Sequence, residues 1–217
     1  MSYIRNEFKK LADPARAKVL AKYFREDRFY GLTVSQTRVI ARKYAPEMSF
    51  ARIKYLLQIG KHEERLCALF MLIEKLEKDP KKVFDFYLAS TKHVNNWDLV
   101  DSSAPYILGP AASRATLYRL SRSKNIWERR MAIVATHYRI RQGDFAPTLK
   151  IATILLKDKE DLIHKAVGWM LREVGKKDEK ILKKFLATHA SRMPRTMLRY
   201  AIEKFPQGIR RKYLDMV

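Results

Sequence analysis

The sequence predicts an all-α fold, a solenoid of stacked antiparallel helix pairs, on three observations. Apolar residues recur at three- and four-residue intervals along nearly the whole chain, which is the spacing of one helix face. The seven glycines and eight prolines fall largely between those periodic segments, and no two alternating runs are joined by an Asn-Gly or Asp-Gly turn. The third observation is a repeat. The segments HEERLCALFMLIEKL, VNNWDLVDSSAPYIL, IWERRMAIVATHYRI, LIHKAVGWMLREV and MPRTMLRYAIEKF each open on polar residues and continue as an amphipathic helix. Aligned on Arg65, Asp98, Arg130, Lys165 and Arg199, they recur at steps of 33, 32, 35 and 34 residues. A period of that length holds one helix pair, as in HEAT-like arrays, whose pairs bury their apolar faces against one another. The five repeated helices would then line a basic concave face of one domain spanning 1–217. An ordinary helical bundle with chance similarity is the competing architecture.

The individual helices follow from the breakers. Asp13-Pro14 separates helices over 2–11 and 14–26, and FYGLT at 29–33 precedes one over 34–44. Helices over 49–59 and 62–77 come next, and Asp79-Pro80 starts another over 81–91. A helix over 95–107 ends before Gly109-Pro110, and helices over 111–120 and 125–141 follow. RQGDFAP at 141–147 leads into 146–156, followed by 160–175, 178–188 and 193–204. The last helix, 207–215, opens after FPQG.

Lys and Arg total 45 against 23 Asp and Glu, a formal charge of +22. Self-repulsion on that scale opposes folding, so the sequence points to a polyanionic partner. Nucleic acid is the first candidate and an anionic membrane surface the second; a basic surface kept for solubility is the plain alternative. The hydrophobic content of 47% excludes a disordered chain. The lone cysteine, Cys67, cannot form an internal disulfide and lies in an apolar helical run, which predicts a small core residue in a reducing, cytoplasmic compartment. No secretory leader and no apolar span long enough for a bilayer is visible, so no membrane-crossing segment is expected. The five histidines have no ligand spacing, and neither a P-loop nor a GxSxG elbow occurs. A metal site and a serine or cysteine hydrolase are therefore unsupported.

Residues with unusual placement remain. In the 95–107 helix Leu99, Val100, Ser103, Tyr106 and Ile107 form the apolar side, while Trp97, Asp101, Ala104 and Leu108 form a stripe pointing away from it. A tryptophan four residues from a carboxylate, off the core stripe, suggests a site; alternatively Trp97 packs on a neighbouring repeat and Asp101 pairs with an arginine. Asp98 suits the helix start. Trp169 falls at the edge of an apolar face between Lys165 and Arg172, a second tryptophan on a basic lip. Gly168 beside it either packs helices closely or lets a ligand approach. Met131, Val134 and Tyr138 place Trp127 on a buried stripe, whereas Arg130, His137 and Arg141 read as a basic strip. Arg130 is the best placed to reach a phosphate; as a salt bridge its partner would be Glu128 or Asp101.

NNWDLVDSSAPYILG, KNIWERRMA, KAVGWMLRE and FYGLTVSQTRVIARKY, in that family's order over nearly the whole chain, resemble the AlkD-type HEAT-repeat DNA alkylation repair glycosylases. The resemblance implies a lesion held against two tryptophans and one aspartate, which fall on Trp97, Trp169 and Asp101. It implies backbone contacts from Arg130 and Arg172, with Lys165 beside them. Many members carry another tryptophan just before the first; here it is Asn96. The activity implied is excision of cationic N3- or N7-alkylated purines from duplex DNA by a monofunctional glycosylase needing no metal or cofactor. A monomer is the expected state. A positively charged base leaves as a neutral group, so the enzyme need not protonate it. It must stabilise the oxocarbenium-like sugar and orient water, a task for Asp101. The surrounding cations are expected to keep Asp101 ionised, and the ring faces suit a cation. Two rival classes remain: a non-catalytic HEAT-like protein that binds DNA or structured RNA, and a scaffold for an acidic protein.

Overall fold

The computed structural model describes residues 2–24 and 27–215, and is all-helical across them. The chain divides into two compact units, 1–95 and 96–217.

The first unit runs α1 (Ser2–Lys10), α2 (Pro14–Tyr23), α3 (Val34–Tyr44), α4 (Phe50–Ile59), α5 (His62–Glu74) and α6 (Pro80–Ala89), with a 3-10 turn at Thr91–His93. Local chemistry sets these starts. Asp13 caps α2 by accepting from the Arg16 N–H at 2.9 Å, with Pro14 at the first helical position. Thr33 and Gln36 close a capping box on α3. The last two residues of the 14–26 prediction lie outside the described residues. α5 packs on α3 and α4 and is buried over most of its length, including Glu63 and Glu64. Those two carboxylates are fully engaged. Glu63 accepts the backbone N–H groups of Tyr30, Gly31 and Leu32 at 2.7–3.2 Å. Glu64 accepts Arg5 Nε at 2.9 Å and the Tyr30 hydroxyl at 3.1 Å. The FYGLT segment is thus an irregular loop tied to a buried carboxylate. Gly31 is required there: its φ is +92°, and a Cβ would lie 2.0 Å from the Asp13 carbonyl oxygen.

The second unit comprises α7 (Trp97–Ala111), α8 (Arg114–Leu120), α9 (Ile126–Arg141), α10 (Ala146–Ile154), α11 (Asp161–Lys177), α12 (Glu179–His189), α13 (Arg195–Ala201) and α14 (Gln207–Leu214), with 3-10 turns at Leu155–Lys157 and Ala190–Arg192. α7 packs on α9, α9 on α11 and α11 on α13, while α8 packs on α9, α10 on both α9 and α11, and α12 on α11. This is the helix-pair stacking that the repeat predicts: every second helix joins one row.

The main departure in element boundaries is α7. Gly109-Pro110 does not end it; the helix continues to Ala111 and contains Pro105 and Pro110. Tertiary packing overrides the breaker: Gly109 lies against α9, where a Cβ would be 2.5 Å from the Tyr138 Cβ. The stripe assignment also changes. Ala104 and Leu108 are fully buried, whereas Tyr106, placed on the apolar side, is 46% exposed. The reason is that α7 is covered over more than one face. On α9, Trp127 is only half-buried and Tyr138 is exposed, so the predicted core stripe there holds only for Met131 and Val134. Cys67 is a buried core residue whose thiol is pushed up by burial and by Glu64. No helix among the described residues is long and apolar enough to cross a membrane.

Candidate functional site

Asn96 opens the site. It is the N-cap of α7, its Oδ1 accepting the Leu99 N–H at 2.9 Å. An aromatic ring could not make that bond, which gives a local reason for asparagine at this position. The cap starts the helix so that Trp97 lies in the first turn and Asp101 one turn further on. Asp98 is also in the first turn, where a carboxylate complements the positive end of the helix dipole. Pro105 has no N–H, so the Asp101 carbonyl loses its usual helical donor.

Asp101 is held from α9. Arg130 Nε donates to one carboxylate oxygen and Nη2 to the other, each at 2.8 Å, a two-pronged fork. The third nitrogen, Nη1, donates to the Leu162 carbonyl at the start of α11. Arg130 is 5% exposed, so it is a buried tie across three stacked helices rather than part of an exposed basic strip. Of the two carboxylates that could pair with it, the structure selects Asp101. The Asp101 side chain keeps 18% exposure. Its pKa is raised, against the expectation that surrounding cations would lower it. Burial pushes the carboxyl up, and Asp98 adds to that; the Arg130 fork opposes both without cancelling them.

Around this pair lies an open cavity of about 370 Å³. Trp97, 38% exposed, and the half-buried Trp169 form aromatic walls. Lys165 and Arg172 lie on the rim, so all six residues singled out from sequence line this one cavity. Both rim cations are already paired. Lys165 Nζ is 2.7 Å from Asp161, which pulls the ammonium up and is itself held below its ordinary range by Lys165. Arg172 donates to Glu203 and, at 3.2–3.3 Å, to Glu173. His137 lies 6.2 Å from the Trp169 ring, and burial holds its pKa below the ordinary value.

Two lining residues escaped the sequence reading, Leu162 and Tyr200. Tyr200, on α13 and 37% exposed, is a third ring at the cavity. The signal for it was Gly168. A Cβ on Gly168 would lie 2.5 Å from both the Met197 carbonyl oxygen and the Tyr200 Cβ. Gly168 is therefore a helix-packing glycine: it lets α13 approach α11 and brings Tyr200 to the cavity that Trp169 also lines. Only the pairwise helix contact, which sequence spacing does not carry, turns that glycine into a pointer to Tyr200. Among the described residues no cluster of His, Cys, Asp or Glu could hold a metal ion.

The family model described as "DNA alkylation repair enzyme" matches residues 4–205. No curated protein sequence matches the chain. Among solved structures, the fold is similar to one described as "Predicted DNA alkylation repair enzyme from Enterococcus faecalis". The TM-score is 0.76 at 15% identity, covering 90% of this chain and 97% of that one.

Proposed function

The chain belongs to the DNA alkylation repair enzyme family, and we propose that it is a monofunctional DNA glycosylase acting on cationic N3- and N7-alkylated purines in duplex DNA. What supports this most is the convergence of Trp97, Trp169 and Asp101 on one cavity. Ring faces attract positive charge through their quadrupole. A carboxylate between them stabilises the positive charge that develops on the sugar as the glycosidic bond breaks, and it can orient the attacking water. The alkylated base carries its own positive charge and leaves neutral, so no general acid is needed at the base. Arg130 acts on Asp101 rather than on the substrate: its fork fixes both carboxylate oxygens. Lys165 and Arg172 exchange their carboxylate partners for DNA phosphates, and the protein acts as a monomer. An open cavity of this kind suits a lesion that remains partly stacked more than one fully extruded into a deep pocket.

One observation favours a second reading, a non-catalytic protein that binds DNA or structured RNA. Both oxygens of Asp101 are already occupied by Arg130, as in a purely structural ion pair. The two readings part in a duplex carrying a single N7-methylguanine, incubated with chelator-treated protein. The glycosylase leaves an alkali-labile abasic site with the strand uncut before alkali; the binding protein leaves the duplex intact while shifting it in a gel.

A further inference from the structure

The first unit contains a second open cavity, of about 430 Å³, that the proposed excision chemistry does not use. Its floor follows the same plan as the floor of the aromatic cavity. Arg65, 8% exposed, lies near the start of α5 and donates through Nη1 to Asp27 at 2.7 Å. Through Nη2 it donates to the His93 carbonyl at 2.7 Å and to Asn95 Oδ1. Arg130 likewise ties an earlier carboxylate to a later carbonyl. Arg65 and Arg130 also occupy equivalent positions in the sequence repeat. The walls differ. Where the second unit presents tryptophans and a tyrosine, this cavity presents Arg28, Gln58, Lys61, His93 and Asn95.

The chemistry of those walls is that of an oxyanion site. The carboxylate in the lining, Asp27, is matched by Arg65 and faces the His62 Nδ1 at 2.9 Å. Arg28 is exposed, and Lys61 rests its ammonium 4.0 Å above the Tyr30 ring. Among the described residues neither has a carboxylate partner. Glu63 and Glu64, nearby on α5, are committed to the Tyr30–Leu32 backbone, to Arg5 and to the Tyr30 hydroxyl. Positive charge is thus left in excess. Asn95 turns its oxygen to Arg65, so its amide hydrogens are the end left for a ligand. Gln58 Nε2 lies 3.3 Å from His93 Nε2. Burial first, and then the field of Lys92, Arg65 and Lys54, hold the His93 pKa below its ordinary value.

We propose that this cavity binds a phosphate group, either a backbone phosphodiester of nucleic acid or a free phosphate. Arg28 and Lys61 supply the charge, the amides of Gln58 and Asn95 supply neutral donors, and Arg65 is the rigid floor that holds Asp27 and Asn95 in place. The tryptophan cavity takes a cation and this one takes an anion, on the same arginine framework.

Nuclear magnetic resonance of the intact protein tests this. The His93 ring and the Gln58 and Asn95 side-chain amides are followed while inorganic phosphate is added at constant pH. Sodium chloride at matched ionic strength is the control. The expected result is a saturable shift with phosphate alone, weakened at least about fivefold in Arg28→Ser and in Lys61→Gln, each removing one charge-assisted contact. Arg28 is exposed, so its replacement leaves the fold intact. Shifts that follow ionic strength alone, or binding unchanged in both variants, overturn the proposal. Unmodified duplex DNA is then added. Displacement of phosphate assigns the site to the nucleic-acid backbone, and phosphate left in place assigns it to free phosphate; either keeps the phosphate site. No base excision is read, so this result stands or falls separately from the glycosylase reading.

Discussion

Asp101 has two properties that pull against each other. A charge meant to stabilise a developing cation works best when it is available, yet Arg130 holds both of its oxygens at 2.8 Å. On the proposed reading the working part of the carboxylate is the fraction that stays exposed, 18%, at the cavity that Trp97 and Trp169 also line. The fork fixes orientation, and that requires a planar bidentate partner. Arg130→Lys keeps the charge and loses the fork, so excision should fall about tenfold or more while affinity for unmodified duplex changes little. Single-turnover excision beside a binding titration checks it. The pKa supplies a second expectation. On the proposed mechanism excision needs the ionised carboxylate, and burial raises its pKa. Activity should therefore be lost on acidification at a higher pH than an ordinary aspartate, about 3.9, would give. The pH profile of the single-turnover rate measures that limb; a limb at or below the ordinary value contradicts the raised pKa. At this scale part was legible: spacing and residue type singled out Trp97, Asp101, Trp169, Lys165, Arg130 and Arg172 as unusually placed, and all six line one cavity. What spacing did not carry was how they pair. It left Arg130 between Glu128 and Asp101, and it gave the wrong direction for the Asp101 pKa because burial depends on neighbours distant in sequence.

The helices explain why the side chains converge. Gly168 at the α11–α13 contact decides where Tyr200 stands. On an open helix face Gly→Ala stabilises by about 0.5–1 kcal/mol. Gly168→Ala should do the opposite and destabilise by about 1–3 kcal/mol, because the new methyl meets backbone 2.5 Å away. Gly208→Ala on α14, where a Cβ meets nothing within 4 Å, is the control that should not destabilise. Thermal unfolding of the two variants gives the signs directly. Glu63 makes a comparable point in the first unit. Glu63→Gln removes the charge that the three N–H groups of the Tyr30–Leu32 loop share and puts an amide group in place of the oxygen that accepts from Tyr30, at an expected cost of about 1–3 kcal/mol. Denaturant titration of that variant measures the loss. Element order and type were readable from periodicity and breakers, helped where a helix start carries its own cap, as at Asp13, Thr33, Ser49, Asn96 and Ser113. The end of α7 was not, since a Gly-Pro pair is a local signal and α9 packing overrides it. The reversed exposure of Tyr106 and Leu108 has the same origin: a stripe on one helix says how wide its apolar face is, not how many neighbours cover it.

For the whole molecule the dominant fact is a charge of +22. The rim cations Lys165 and Arg172 are paired with carboxylates, and on the proposed reading DNA phosphates compete with Asp161, Glu173 and Glu203 for them. Affinity for unmodified duplex should accordingly be steeply salt-dependent, falling at least about tenfold between about 50 and 200 mM salt. Fluorescence anisotropy over that range checks it, and a flat response would remove DNA as the polyanion. The central claim is narrower than binding: Asp101 drives loss of a cationic base. Its most direct test is release of free 7-methylguanine and 3-methyladenine from methylated duplex DNA by the wild type and by Asp101→Asn. The account predicts release of both bases by the wild type and at least about tenfold less by the variant, with duplex binding retained. Equal release by the two proteins, or none from either while binding stays tight, would contradict it.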